Sequence, residues 1–398
     1  MAILCLNNRA RRLVTNLRIF GPEGVQREYF CRRHSRIGPY GIMSFTVILW
    51  MLCFGCIFCF PAHAQKDTTA LKEYSPLPIG VAIGYYPMKN NPVYAGIVAS
   101  QFDHVTFEYA LKNGAIVRRD GKLDYRRADE LVKLCRSKGL NIYGHTLCWY
   151  QNNSPYLATL AGDSAAIENF LQHYIKATVS RYKGVVYAWD VVNEAIDNQG
   201  KLRTSGKAGK DYFYWGRYLK QGYIARAFQY AHEADSSALL FYNDYDLERY
   251  PEKLQGVIAL VQRLKQQHVP IDGIGTQLHI SINTPNAGID SAFKSLALTG
   301  LLVRISELDI KANPDNDSDF VFTAGVAQKQ AEKCAYVLAS YFKYVPARQR
   351  YGITFWNVGD GDSWIVLSQK RKDNPTLFDQ HYKPKAMYYA VQNFFKHR

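Results

Sequence analysis

The chain has 398 residues, 47% hydrophobic and 14% aromatic, enough for a large buried core, and its formal net charge is +15. Eight Arg and two Glu fall in the first 64 residues, which leaves about +9 from Gln65 onward, scattered among acids. The densest basic group there, Lys370-Arg371-Lys372, is three residues rather than a stripe, so the clustered footprint of a nucleic-acid binder is missing.

The chain opens with an extension, residues 1–64. Residues 42–60 form a nearly unbroken apolar run behind Arg32, Arg33 and Arg36, and the run ends at Pro61-Ala62-His63-Ala64. A charged region, an apolar region and an Ala-x-Ala site before Gln65 form the pattern of a signal peptide and imply export, secreted or periplasmic. The run is also long enough to cross a bilayer, so a membrane anchor formed by 42–60 is the alternative; in that case alone a membrane is a partner. Met43 is a second candidate start. Residues 65–74 read as a short polar linker before one catalytic domain, 75–398.

From there β-rich runs alternate with amphipathic ones. The strand candidates are 79–83, 104–107, 141–145, 188–192, 239–242, 273–278, 303–308 and 352–356. Helical periodicity of apolar residues marks 164–182, 213–233, 252–267 and 327–342 among the intervening stretches. Eight strand-helix alternations in about 320 residues predict an α/β fold, a (β/α)8 TIM barrel in a single domain. Five of the eight cysteines lie in the extension; Cys135, Cys148 and Cys334 remain, an odd number without metal-ligand spacing, and read as core thiols.

In such a barrel the working residues stand at the C-terminal ends of the strands. Polar residues do collect there: Glu108 and Lys112 after strand two, His145 at strand three, and Asp190, Asn193 and Glu194 at strand four. Gln277 and His279 follow at strand six, Glu307 and Asp309 at strand seven, and Trp356 at strand eight. Two glutamates at one barrel mouth suit glycoside hydrolysis, in which one carboxylic acid protonates the leaving oxygen and the other carboxylate attacks or activates water. Asp315, Asp317 and Asp319 alternate like the start of a calcium loop. Phe320 and Val326 stand where that loop needs Gly and Glu, so no metal site is read there. Carboxylate chemistry needs no cofactor, and none is expected.

Trp-Asp-Val-Val-Asn-Glu at 189–194, Gly-His-Thr-Leu-Cys-Trp at 144–149, Gln-Leu-His at 277–279 and Ser-Glu-Leu-Asp at 306–309 form an ordered set. Thr-Phe-Trp at 354–356, Asp-Ser-Trp at 362–364 and Tyr-Lys-Pro-Lys-Ala at 382–386 continue it. In order and spacing, the set resembles glycoside hydrolase family ten, the retaining endo-1,4-β-xylanases, across about residues 71–395. The resemblance implies Glu194 as acid/base and Glu307 as nucleophile, with xylan or xylo-oligosaccharide as substrate and no obligate protein partner. It implies Asn193 on the sugar 2-hydroxyl, His279 orienting the nucleophile with Asp309 behind it, and Asp190 as a supporting carboxylate. Glu108, Lys112, His145, Trp149 and Gln277 match glycone-side sugar-binding positions. Trp356 and Trp364 resemble aromatic walls there, and Tyr245 lies nearer the aglycone. Retention further requires the two carboxyl groups to stand about 5–5.5 Å apart.

The chain departs from the family pattern at four positions. Tyr109 stands for a usual Asn, Tyr150 for a usual His, Asn152 for a common Gln and Asn357 for a small residue. These leave the catalytic pair untouched and put the glycan in question. Another β-linked or decorated glycan as substrate is therefore one alternative, and a catalytically silent surface glycan-binding protein of the same fold is another.

Overall fold

The computed structural model describes residues 69–204 and 213–398. The expected leader, its cleavage site and the alternative anchor at 42–60 lie outside the described residues. Among the described residues the strands are β1 (Ile79–Ile83), β2 (His104–Phe107), β3 (Asn141–Cys148), β4 (Val186–Asn193) and β5 (Leu239–Asp244). They continue as β6 (Gly273–Thr276), β7 (His279–Ser281), β8 (Leu302–Lys311) and β9 (Arg350–Phe355). Hydrogen bonding runs in the order β6-β5-β4-β3-β2-β1-β9-β8, and β6 pairs with β8 to close the ring. β7 pairs with the far end of the same β8, so it extends the β6 stave and the barrel has eight staves, all parallel.

Each stave is followed by a helix of ten or more residues: α1 (Pro92–Gln101), α2 (Arg126–Ser137), α3 (Ser164–Arg181) and α4 (Gly222–Ala234). The ring is completed by α5 (Pro251–Gln266), α6 (Asn286–Ala297), α7 (Ala324–Tyr344) and α8 (Ala386–Lys396). α2 shows why they sit outside: it buries Ala128, Leu131, Val132 and Cys135, one face at three- and four-residue spacing. Side chains satisfy the free N–H groups at several starts. Asp163 accepts from Ala166 N at 2.9 Å, and Thr323 accepts from Val326 N at 3.3 Å. No described helix is long and apolar enough to cross a membrane.

A plug of Tyr143, Ala188 and Phe241, with Leu239, Leu302 and Tyr351 against it, fills part of the barrel interior. Arg304 is buried beside it. Its guanidinium lies 3.4 Å from the Tyr143 ring centroid and donates to Thr354 Oγ1 at 2.7 Å and Thr106 Oγ1 at 3.1 Å. Gly144 lets β3 approach Trp189: an added Cβ would stand 2.1 Å from Cε3 of that fully buried ring. Gly144→Ala should therefore cost about 1–3 kcal/mol by overpacking. A urea midpoint equal to wild type would contradict that.

Four sequence expectations need correction. Strands three, four, five and seven of the expectation run longer, to Cys148, Asn193, Asp244 and Lys311, with irregularities in register along β3, β4 and β8. The expected strand 273–278 is interrupted because Leu278 takes a φ of +58°, which re-aims the chain into β7. The single helix expected over 213–233 is two pieces, Tyr214–Leu219 and α4, parted where Lys220 has φ +55°. The linker 65–74 is not free along its length: Leu71–Tyr74 is helical, Leu71 is fully buried, and Gln392 Nε2 donates to Thr69 O at 2.7 Å. The three remaining cysteines are free and buried, and burial pushes the Cys135 and Cys334 thiols up to about 12.

Candidate active site

The C-terminal ends of the staves surround a cleft of about 540 Å³. Into it project Glu108 and Lys112 beyond β2, His145 and Trp149 from the end of β3, Asn193 and Glu194 from β4, and Tyr245 beyond β5. Gln277 and His279, Glu307, and Trp356 with Trp364 come from β6–β7, β8 and the chain after β9. Sequence reasoning named all of these. Asp190 and Asp309, also named, stand behind the wall rather than in it.

Glu194 has a φ of +57°. That left-handed backbone costs a non-glycine residue of order 1 kcal/mol and persists only where the surroundings hold it. Here Glu194 N donates to Asn243 O at 2.8 Å, and Arg203 Nε donates to Glu194 O at 3.2 Å. The turn delivers the carboxyl to the cleft, where Oε2 accepts from Trp149 Nε1 at 2.7 Å. Oε1 accepts from Gln277 Nε2 at 3.0 Å and Asn193 Nδ2 at 3.2 Å. Burial raises its pKa, opposed by the Gln277 and Trp149 hydrogen bonds and assisted by the Asp244 and Glu307 charges.

Glu307 is held the other way. Burial would raise its pKa, but the charge of His145, the hydrogen bond and charge of His279, and Lys112 outweigh it and hold the carboxyl at about 2. His279 Nε2 lies 3.2 Å from Glu307 Oε2, and its Nδ1 lies 2.8 Å from Asp309 Oδ2. Burial works against charge on that ring, yet the two carboxylates raise it to about 10, so an imidazolium sits between them at neutral pH. The two glutamates are joined by amides. Asn243 Nδ2 donates to Glu307 Oε1 at 2.7 Å and to Asn193 Oδ1 at 2.9 Å, and Gln277 Nε2 reaches the same Asn193 oxygen at 3.2 Å.

The residues behind the wall fix orientation. Asp190 accepts from Tyr143 OH at 2.8 Å and holds His145 Nδ1 at 2.8 Å; Asp309 Oδ2 also accepts from Trp364 Nε1 at 2.8 Å. Lys112 lies 4.3 Å from the Trp149 ring centroid, and burial lowers its pKa. Lys253, fully buried and 2.8 Å from Asp244 Oδ1, lies 3.3 Å from the centroid of the Tyr245 ring. Among the described residues, no group of three or more His, Cys, Asp or Glu side chains is placed to hold a metal ion.

The family model described as glycosyl hydrolase family 10 matches residues 67–394. The chain belongs to that family. It is 31% identical to a β-1,4-xylanase of Dictyoglomus thermophilum over 88% of this chain and 97% of that one. It is 33% identical to endo-1,4-β-xylanase A of a Caldicellulosiruptor species over 79% of this chain and 45% of that one. The chain spans about half the length, or less, of several curated relatives it matches. Among solved structures, xylanase 10B of Thermotoga petrophila RKU-1 in complex with xylobiose superposes with a TM-score of 0.75 at 28% identity, covering 84% of this chain and 99% of that one.

Within the family 10 frame, three of the four departures line the cleft, Tyr109, Tyr150 and Asn152, while Asn357 stands behind Glu108. The Tyr150 ring centroid lies 4.2 Å from the Arg203 guanidinium, whose Nη2 also reaches Tyr245 OH at 3.4 Å. Asn357 has φ +70°, a glycine-like conformation that Asn tolerates. Its Nδ2 donates to Glu108 Oε2 at 3.0 Å and its Oδ1 accepts from Trp364 N at 3.1 Å.

Sequence reasoning missed Asn243, Arg203, Arg249 and Lys311, the last two also lining the cleft. Asn243 was within reach, because it stands near the end of β5 and pairs there with Asn193, which closes β4. Asn243→Ala removes a donor to a charged carboxylate, so kcat/KM should fall by about 10- to 100-fold. The acid limb of the pH profile should move up as Glu307 loses that bond; an unchanged profile would count against the bridge.

Proposed function

We propose that the chain is an exported, retaining endo-1,4-β-xylanase acting on internal bonds of xylan. The carrying observation is the contrast between two buried carboxyls on one amide bridge, Glu307 held as a carboxylate at about 2 and Glu194 raised by burial. In this reading Glu307 attacks the anomeric carbon as the C–O bond to the leaving sugar breaks and Glu194 gives its proton to the departing oxygen. A xylosyl–Glu307 ester forms. Water then attacks that ester, its proton passes to Glu194, and the Glu307 carboxylate is released with net retention.

The surrounding residues have parts in the same scheme. Asn193, anchored by Asn243 and Gln277, is placed to meet the 2-hydroxyl of the sugar under attack. His279, held by Asp309, keeps Glu307 ionised and aimed. Glu108, Lys112, His145, Trp149, Trp356 and Trp364 bind the glycone, and Tyr245 the aglycone. The apolar run at 42–60 with its Ala-x-Ala site supports export, with the linker joining this leader to the barrel.

The test is product analysis of the full chain on linear xylan, glucuronoarabinoxylan and a β-glucan. Xylo-oligosaccharides of several lengths are expected from the xylans. Release from the glucan alone would move the assignment to another β-glycan, and binding without release would leave a glycan-binding protein.

A further inference from the structure

Behind the cleft, β5 carries a buried polar cluster that sugar binding does not explain. Lys253, in the first turn of α5, is fully buried, and its Nζ lies 2.8 Å from Asp244 Oδ1. A cation there faces the positive end of the α5 dipole, and an apolar pair would fill the space without desolvating two charges. Such an ion pair is a weak source of stability, so its reason lies in what Asp244 holds. Asp244 Oδ1 accepts from Tyr245 N at 3.0 Å, and Oδ2 accepts the proton of Tyr242 OH. The same phenol oxygen accepts from Ala195 N at 3.1 Å and from Ile196 N at 3.2 Å. Tyr242 OH thus uses its one proton and both lone pairs, and donation to a carboxylate makes its oxygen the stronger acceptor.

We propose that Tyr242, Asp244 and Lys253 form a positioning unit that fixes the backbone of residues 194–196 and so aims the Glu194 carboxyl at the glycosidic oxygen. The inference rests on the xylanase reading and deepens it. None of the three lines the cleft, so each acts through another residue. Glu194 sits at φ +57°, and the chain after it must hold that turn. Asn243 and Arg203 hold Glu194 N and O, and Tyr242 takes the next two N–H groups. Lys253 orders Asp244, Asp244 aims the Tyr242 proton, and the phenol lone pairs are left facing the turn. The same cluster reaches the aglycone wall, because Lys253 Nζ lies 3.3 Å from the Tyr245 ring centroid and Arg203 Nη2 reaches Tyr245 OH at 3.4 Å. The wall beside the departing sugar and the turn that protonates it are therefore one connected piece. The Asp244 charge is also among those that favour the protonated form of Glu194. Aim matters at this scale, since an offset of about 1 Å costs about 10²-fold in rate.

The test compares kcat/KM of the full-length protein on a xylo-oligosaccharide and on an aryl xylobioside whose acidic phenol departs without a proton. Both values report the first chemical step. Wild type is set beside Tyr242→Phe, which removes one oxygen, and Lys253→Met, which removes the charge and keeps an unbranched chain. The xylo-oligosaccharide value should fall about 5- to 30-fold in both variants, a part of what general acid assistance supplies, with the aryl substrate within about twofold of wild type. A barrel merely loosened by the substitution would lower both values together. An equal fall on both substrates, or no fall on either, overturns the unit. If Lys253→Met does not fold, Tyr242→Phe decides by the same ratio. Wild type that cuts no xylo-oligosaccharide overturns the xylanase reading, and the unit falls with it.

Discussion

Glu307→Ala should abolish turnover of xylan, with kcat lowered by about four to six orders of magnitude, the scale seen when the attacking group of a hydrolytic unit is removed. The loss should hold for every leaving group, because no covalent intermediate can form without that carboxylate. The fold should survive: the substitution removes a buried charge, and the barrel pairs β8 to β6 and β9 through its backbone. His279 then loses one of its two anionic neighbours, so its pKa should fall from about 10. Azide, small enough for the space the side chain leaves, should restore part of the turnover by attacking from the Glu307 side and give the α-glycosyl azide. Activity within tenfold of wild type would remove Glu307 from the mechanism.

Glu194→Ala should act differently. General acid–base assistance is worth about 10²–10⁴ in rate, so hydrolysis of xylan should fall by that range. An aryl xylobioside with a highly acidic phenol needs no proton to depart, so its first step should be nearly spared and the intermediate should accumulate. Azide should then speed the second step and give the β-azide, the opposite anomer from that expected with Glu307→Ala. The pH profile carries a second signature. Activity needs Glu307 ionised and Glu194 protonated; with Glu307 at about 2 and Glu194 raised by burial, the wild-type profile is a bell. As pH rises through the Glu194 pKa, its proton is lost and the alkaline limb falls. Without Glu194 that limb should vanish while the acid limb stays. Loss of both limbs, or equal loss for all leaving groups, would contradict the assignment.

Much of the site was legible because a parallel barrel changes chemistry abruptly at its strand ends. In β4 the apolar Val191-Val192 gives way to Asn193-Glu194, and in β8 Ile305 gives way to Ser306-Glu307, transitions that core packing alone does not need. The hidden features depend on backbone conformation. Leu278 at φ +58° carries no mark in its residue type, since leucine is poorly suited to that region, and so the break between β6 and β7 was invisible. Asn357 at φ +70° has the same origin: only the turned backbone lets one amide reach both Glu108 and Trp364 N. Asn243 was missed because its strand was read two residues short, ending at Tyr242 rather than Asp244, which left the amide outside the strand end that builds the cleft. The helix at Leu71–Tyr74 is a single turn, too short for periodicity to show.

The central claim is that Glu307 becomes covalently bonded to the sugar. The most direct measurement is intact-mass and peptide-level mass spectrometry after incubation with a 2-deoxy-2-fluoro-xylobioside bearing a good leaving group. Fluorine at that position slows both formation and breakdown of the intermediate, and the reactive leaving group restores the rate of formation alone, so the intermediate accumulates. A mass increase of one fluoroxylobiosyl unit, mapped to Glu307 and absent from Glu307→Ala, is the predicted result. No adduct together with steady release of the inverted sugar, or an adduct on Glu194, would contradict the account.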